Sequence, residues 1–266
     1  MTVSRKAEGT SPWHLRSRMG TAEIAGRVWP FIDTGGTGPV LVLLPGSVGT
    51  CEVFFKQIAA LDGPFRVVAV SYPAEPDPAR LADGLAGLLD RLRIEQANVL
   101  GSSFGGYWAQ YVALRHGARV EKLFLGNIFV SPNELFAKPL FDPEWIRNTP
   151  AALIQQAWLE RVEQAPDSEL KQLQLDMLSG RQEADNLKAR FLGVVTARLC
   201  PPLPLAPSQI VVIDCADDPI IPPASRQAVR DHYPGAAHCA LPSGGHYPHV
   251  LNSEAYNAAI RQQLRP

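Results

Sequence analysis

Asn98-Val99-Leu100-Gly101-Ser102-Ser103-Phe104-Gly105-Gly106 decides how this chain is read. A short apolar run ends in Gly-Ser-Ser-Phe-Gly, and a helical pattern follows from Tyr107 to His116. A strand enters a very tight turn, and a helix leaves it. The pattern is G-x-S-x-G with Ser103 at the apex. A serine in such a turn sits in a strained backbone conformation, and its hydroxyl stands clear of the sheet. Gly101 and Gly105 lack the Cβ atoms that would collide in so sharp a bend. The helix points its first N–H groups and its positive dipole end at the site. The Phe104 N–H is then placed to donate to a developing oxyanion. Ser103 is the candidate nucleophile. The plainer alternative is a Gly-rich turn whose serines only cap the helix, and Ser102 fits that description.

Upstream, Val40-Leu41-Val42-Leu43-Leu44 is wholly apolar. A strand apolar on both faces belongs inside a parallel sheet covered by helices on both sides. Glu23–Asp33 reads as an edge strand, Cys51–Leu61 as a helix, Phe65–Val70 as a strand and Leu81–Leu92 as a helix. Downstream, Leu123–Phe129 is a buried strand. This alternation gives a doubly wound α/β sheet. It breaks over residues 131–205, where helical patterns cover Pro150–Gln164 and Ser168–Arg198. A Pro-rich piece, Pro201–Pro207, closes the segment. The reading is a helical insertion lying over the strand ends, between core segments 1–130 and 206–266. The sheet resumes with Gln209–Ile213, a helix near Ala224–His232, a strand over Ala237–Leu241 and a final helix Ser253–Leu264. Residues 1–12 read as a loose arm.

Two loops complete the constellation. Asp214-Cys215-Ala216-Asp217-Asp218-Pro219 follows one late strand, and Ser243-Gly244-Gly245-His246-Tyr247-Pro248-His249 follows the last. Both fall at C-terminal strand ends, where open α/β sheets build their sites. His246 is the candidate general base, and an Asp in the preceding loop would hold its tautomer. Asp218 is the candidate acid. Asp217 would point the other way, and Asp214 still lies on the strand. The bland role for these aspartates is turn formation. His249 makes an H-x-x-H spacing with His246, but no further ligand cluster accompanies it, so no metal and no cofactor are called for. The loop after Leu44 should supply a second oxyanion donor, with the Ser47 N–H placed best. Val48, Tyr72, Trp108 and Tyr247 are candidates to line a pocket, with a core role equally open for Trp108.

Composition narrows the partners. Hydrophobic residues make up 46% and charged residues 19% of 266, and the formal net charge is −1. That balance suits a globular protein with a large core and gives no reason to expect nucleic acid or an anionic membrane. Four cysteines lack C-x-x-C spacing and read as free thiols in a reducing, cytoplasmic setting. Met1–Gly20 has no apolar run of the signal-peptide kind, and no segment approaches a membrane span. The expected partner is a small hydrophobic molecule, and a homodimer is compatible with the sequence.

The chain resembles the α/β-hydrolase superfamily along its length and, more narrowly, its maspardin-like branch. Leu44–Leu61, Arg66–Pro73 and Gly101–Gly106 with Ala109-Gln110 carry the likeness. Pro45-Gly46 stands where most members of the superfamily have His-Gly, and that replacement marks the branch. The resemblance implies an α/β-hydrolase fold with a helical cap, a Ser103 nucleophile and an oxyanion hole near Ser47 and Phe104. It also implies a rival class, because maspardins are regarded as binding or trafficking proteins and lack a histidine at the place of His246. This chain keeps both Asp218 and His246. The sequence therefore points to a serine hydrolase of an ester or related acyl compound. An amidase, a C–C bond hydrolase and a non-catalytic binding protein are the alternatives.

Overall fold

The computed structural model describes Leu15, residues 18–136 and residues 138–264. The arm expected over residues 1–12 lies outside them. The strands are β1 (Met19–Ile24), β2 (Arg27–Asp33), β3 (Val40–Leu44), β4 (Arg66–Val70), β5 (Ala97–Ser102), β6 (Val120–Gly126), β7 (Ile210–Cys215) and β8 (Ala237–Leu241). They form one sheet in the order β1-β2-β4-β3-β5-β6-β7-β8. The pairs β1–β2 and β2–β4 are antiparallel, and the remaining pairs are parallel. This is an α/β-hydrolase fold.

Burial explains the apolar strands. In β3, Leu41 and Leu43 enter one core and Val42 and Leu44 the other. Successive side chains of a strand point to opposite faces, so a strand with helices on both sides needs apolar residues throughout. Helices α2 (Pro78–Arg91) and α3 (Phe104–His116) contribute to one layer, while α1 (Phe55–Leu61) and α10 (Ser253–Gln263) contribute to the other. Asp77 caps α2 by accepting from the Ala79 N–H at 2.8 Å. A short helix, α8 (Pro223–His232), follows β7, and α9 (Pro248–Leu251) precedes α10. Among the described residues no helix is long and apolar enough to cross a membrane.

Three of the differences from the sequence reading bear on the architecture. The expected edge strand Glu23–Asp33 is a hairpin, and β1 forms the edge. Ala25 (φ 51°) and Gly26 (φ 73°) both turn left-handed, as the two-residue loop of a tight hairpin requires. The strand expected through Phe129 ends at Gly126, because Asn127 takes φ 47° and leaves the extended region. The long helical pattern Ser168–Arg198 is two helices, α6 (Glu169–Leu178) and α7 (Ala184–Val195). The N–H groups of Arg181 and Gln182 both turn back to the Met177 carbonyl and end the first of them. With α4 (Pro143–Asn148) and α5 (Ala151–Glu163), these helices fill the stretch between β6 and β7. That stretch holds no strand among the described residues.

Candidate active site

Ser103 stands between β5 and α3 with φ 53° and ψ −124°. A left-handed backbone on a residue with a Cβ is strained and persists only where its surroundings fix it. The Ser103 N–H donates to the Gly126 carbonyl at 2.8 Å, and its own carbonyl accepts from the Tyr107 N–H at 2.9 Å. The glycines on either side are required by space. A Cβ on Gly101 would lie 2.4 Å from the Gly105 carbonyl carbon, and one on Gly105 would lie 2.3 Å from the Leu44 carbonyl oxygen. The elbow is therefore pressed against the loop that follows β3.

His246 reaches this serine. Its Nε2 lies 2.9 Å from Ser103 Oγ, and its Nδ1 lies 2.9 Å from Asp218 Oδ2. Asp218 is buried and further satisfied. Asn127 Nδ2 donates to Oδ2 at 2.6 Å, while the Ile220 and Ile221 N–H groups donate to Oδ1 at 2.7 and 3.0 Å. Burial pushes the Asp218 carboxyl up. The adjoining His246 and the hydrogen bonds from His246, Asn127 and Ile221 outweigh that effect and hold it at about 2. A carboxylate that stays ionised can fix one imidazole tautomer and stabilise an imidazolium.

The three neighbouring aspartates have separate partners. Asp217 accepts from the Gly245 and Gly244 N–H groups at 2.9 and 3.2 Å, so it braces the turn that carries His246. Asp214 lies on β7 and meets Arg230 and His238, each at 2.9 Å. His249 is buried against Phe54, Tyr247 and Tyr256. Burial first, and then the His246 charge, lower its imidazole to about 3.

A cavity of about 220 Å³ opens onto Ser103 and His246. Ser47, Val48 and Tyr247 line it, as do Phe141, Trp158 and Phe191 from the inserted segment. Among other apolar residues of that segment, Ile146 is core, whereas Phe136, Leu140 and Trp145 pack on the core. Tyr72, expected to line a pocket, is not among the residues lining this cavity. Tyr72 is fully buried behind the loop, and its hydroxyl donates to the Pro45 carbonyl at 2.8 Å. It lines a different recess of about 620 Å³, whose lining does not include Ser103. Trp108 is core, edge-on to Tyr72. Phe104 opens α3 directly after the serine, and a Cβ on Gly46, the neighbour of Ser47, would lie 3.0 Å from Ser103 Cβ.

Sequence reasoning missed Asn127. A polar residue closing an otherwise apolar strand was the available signal, yet nothing local said that its amide would bridge Asp218 and the Gly245 carbonyl, the latter at 3.0 Å.

The Alpha/beta hydrolase family model matches residues 41–259, and the chain belongs to that family. Among its relatives, maspardin of Homo sapiens is 26% identical over 250 residues, covering 90% of this chain and 79% of that protein. Two solved structures are similar in fold. An enol-lactonase from Burkholderia xenovorans superposes with a TM-score of 0.74 at 22% identity, covering 92% of this chain and 99% of the other. A thermophilic esterase from Thermogutta terrifontis gives 0.74 at 23% identity, covering 93% and 98%.

Proposed function

We propose that this protein, a hydrolase by family, cleaves an ester or related acyl compound through an acyl-enzyme on Ser103. The observation that carries the reading is the unbroken line of hydrogen bonds from Ser103 Oγ through His246 to Asp218, opening on a cavity. In this reading His246 Nε2 takes the hydroxyl proton as Ser103 attacks the carbonyl carbon. The tetrahedral oxyanion receives the N–H groups of Ser47 and Phe104. Collapse expels the alcohol, which takes the proton from His246. Water, deprotonated by the same imidazole, then attacks the acyl-enzyme and frees the acid and the serine.

Residues 131–205 act as the cap, and Phe141, Trp158, Phe191 and Val48 shape an apolar acyl site with Tyr247 at its side. An amide or a C–C bond could be cleaved by the same three residues, because the fold alone does not choose the leaving group. The maspardin likeness supports the other class, a protein that binds without turnover. A fluorophosphonate probe separates the classes. Labelling is expected on Ser103 and on no other serine, read by intact mass and peptide mapping. Folded protein that stays unlabelled, or that labels at Ser102, sinks the hydrolase reading.

A further inference from the structure

The loops after β3 and β4 are held from outside by three side chains at positions 182, 186 and 190. This i, i+4, i+8 spacing puts them on one side of the chain entering and forming α7. Gln182 Nε2 donates to the Ser47 carbonyl at 2.6 Å, and its Oε1 accepts from the Gly49 N–H at 3.0 Å. Asn186 Nδ2 donates to the Tyr72 carbonyl at 2.8 Å. Arg190 is 1% exposed. Its Nη1 donates to the Gly46 and Gly49 carbonyls at 2.8 and 2.6 Å, and its Nη2 to the Tyr72 carbonyl at 3.4 Å. None of these bonds goes to a carboxylate. The guanidinium also lies 3.8 Å over the Tyr72 ring, whose hydroxyl bonds the same loop. Burying a cation is costly unless its donors are satisfied; here both terminal nitrogens are tied to loop carbonyls, while Nε meets no acceptor among the described residues.

Peptide geometry gives that arrangement a consequence. The Gly46 carbonyl and the Ser47 N–H belong to one peptide unit. No described peptide is cis, and in a trans unit the C=O and N–H point in opposite directions. A carbonyl drawn towards Arg190 therefore turns the Ser47 N–H away from it. Gly46 lies against Ser103 on one side and bonds Arg190 on the other. The geometry points to Arg190 as a positioning residue: from the inserted helix it locks the Gly46–Ser47 peptide so that the Ser47 N–H faces the oxyanion, and the Tyr72 hydroxyl shares that lock by donating to the same Gly46 carbonyl at 3.2 Å. A flip of that peptide would present a carbonyl oxygen to the oxyanion and remove a donor.

The inference rests on the hydrolase reading for its kinetic arm and on loop geometry for its structural arm. The test is Arg190→Met, which keeps length and removes every donor. Turnover of 4-nitrophenyl butyrate and inhibition by an alkyl trifluoromethyl ketone are measured with a crystal structure of the variant. Loss of one oxyanion donor corresponds to about 10²-fold in kcat. The expected result is that loss with KM within about threefold, an equal loss of ketone affinity, and a rotated Gly46–Ser47 peptide. A merely structural role would not make kcat and ketone affinity fall together. A peptide in its wild-type orientation overturns the inference whatever the rates do, and so does a rotated peptide with unchanged, nonzero turnover. If the wild type has no turnover, a rotated peptide keeps the clamp and removes only the hydrolase reading. Should Arg190→Met fail to fold, Tyr72→Phe decides. It is expected to lower kcat and ketone affinity together by about three- to tenfold, a fraction of one donor's worth, and unchanged values there overturn the inference.

Discussion

The sheet side and the helical side of the cavity are built in different ways. On the sheet side, Ser103, Asp218 and His246 leave the ends of β5, β7 and β8, and each is fixed by backbone. The Ser103 N–H is held by Gly126, Asp218 is gripped by two N–H groups, and Asp217 pins the glycines before His246. On the helical side, rings meet rings. Trp158 stacks on Phe191 at 5.0 Å, and Phe141 meets Phe191 edge-on at 5.8 Å. Backbone ladders fix atoms to a fraction of an ångström, as acid–base chemistry requires. Apolar packing tolerates changes of shape and suits selection of a substrate by size. Damage to the first side should therefore lower rate, and damage to the second should change preference.

The largest effect is expected from His246→Ala. Without a base the serine hydroxyl is a poor nucleophile, so turnover of a short aryl ester should fall about 10³-fold or more. Asp218 keeps its other donors, so the cost in stability should be about 1 kcal/mol, read as a small shift in thermal melts. Equal, nonzero turnover in both proteins would remove His246 from the chemistry. On the helical side, Trp158→Ala should shift preference towards longer acyl chains by about tenfold, measured as kcat/KM across an ester-length series. It should also cost about 3 kcal/mol, since Trp158 is buried and stacked. An unshifted series with a lowered rate for every ester would break the division between the two sides.

The smallest effect concerns stability alone. His249 is held at about 3 by burial, against an ordinary value of 6.5. The unfolded chain accepts a proton below pH 6.5 that the folded chain refuses, so stability falls as pH drops from 6.5 towards 3. That loss should be about 1.4 kcal/mol per pH unit from this group. His249→Phe should flatten the slope, as urea midpoints at pH 7 and pH 5 would reveal. An identical slope in the variant would show that His249 does not carry it.

Much of this was legible locally. The apolar run of β3 and the spacing Gly101–Gly105 are properties of a few consecutive residues, and strand burial and elbow strain act at that range. The order of Ser103, Asp218 and His246 along the chain was legible too, because strand ends in a parallel sheet converge on one edge. The choice of Asp218 over Asp217 followed from the alternation of neighbours, and the geometry gives each a separate partner. What the sequence could not supply was every relation that crosses between elements. Tyr72 was a candidate to line the pocket, yet its hydroxyl turns to the Pro45 carbonyl. Asn127 and Asp218 are 91 positions apart, and Arg190 and Gly46 are 144 apart. Local sequence determined the sheet, the elbow and the candidate chemical groups, because propensity and strain are short-range. Only the tertiary structure decided which side chain holds which loop, because a hydrogen bond depends on distances that folding alone sets.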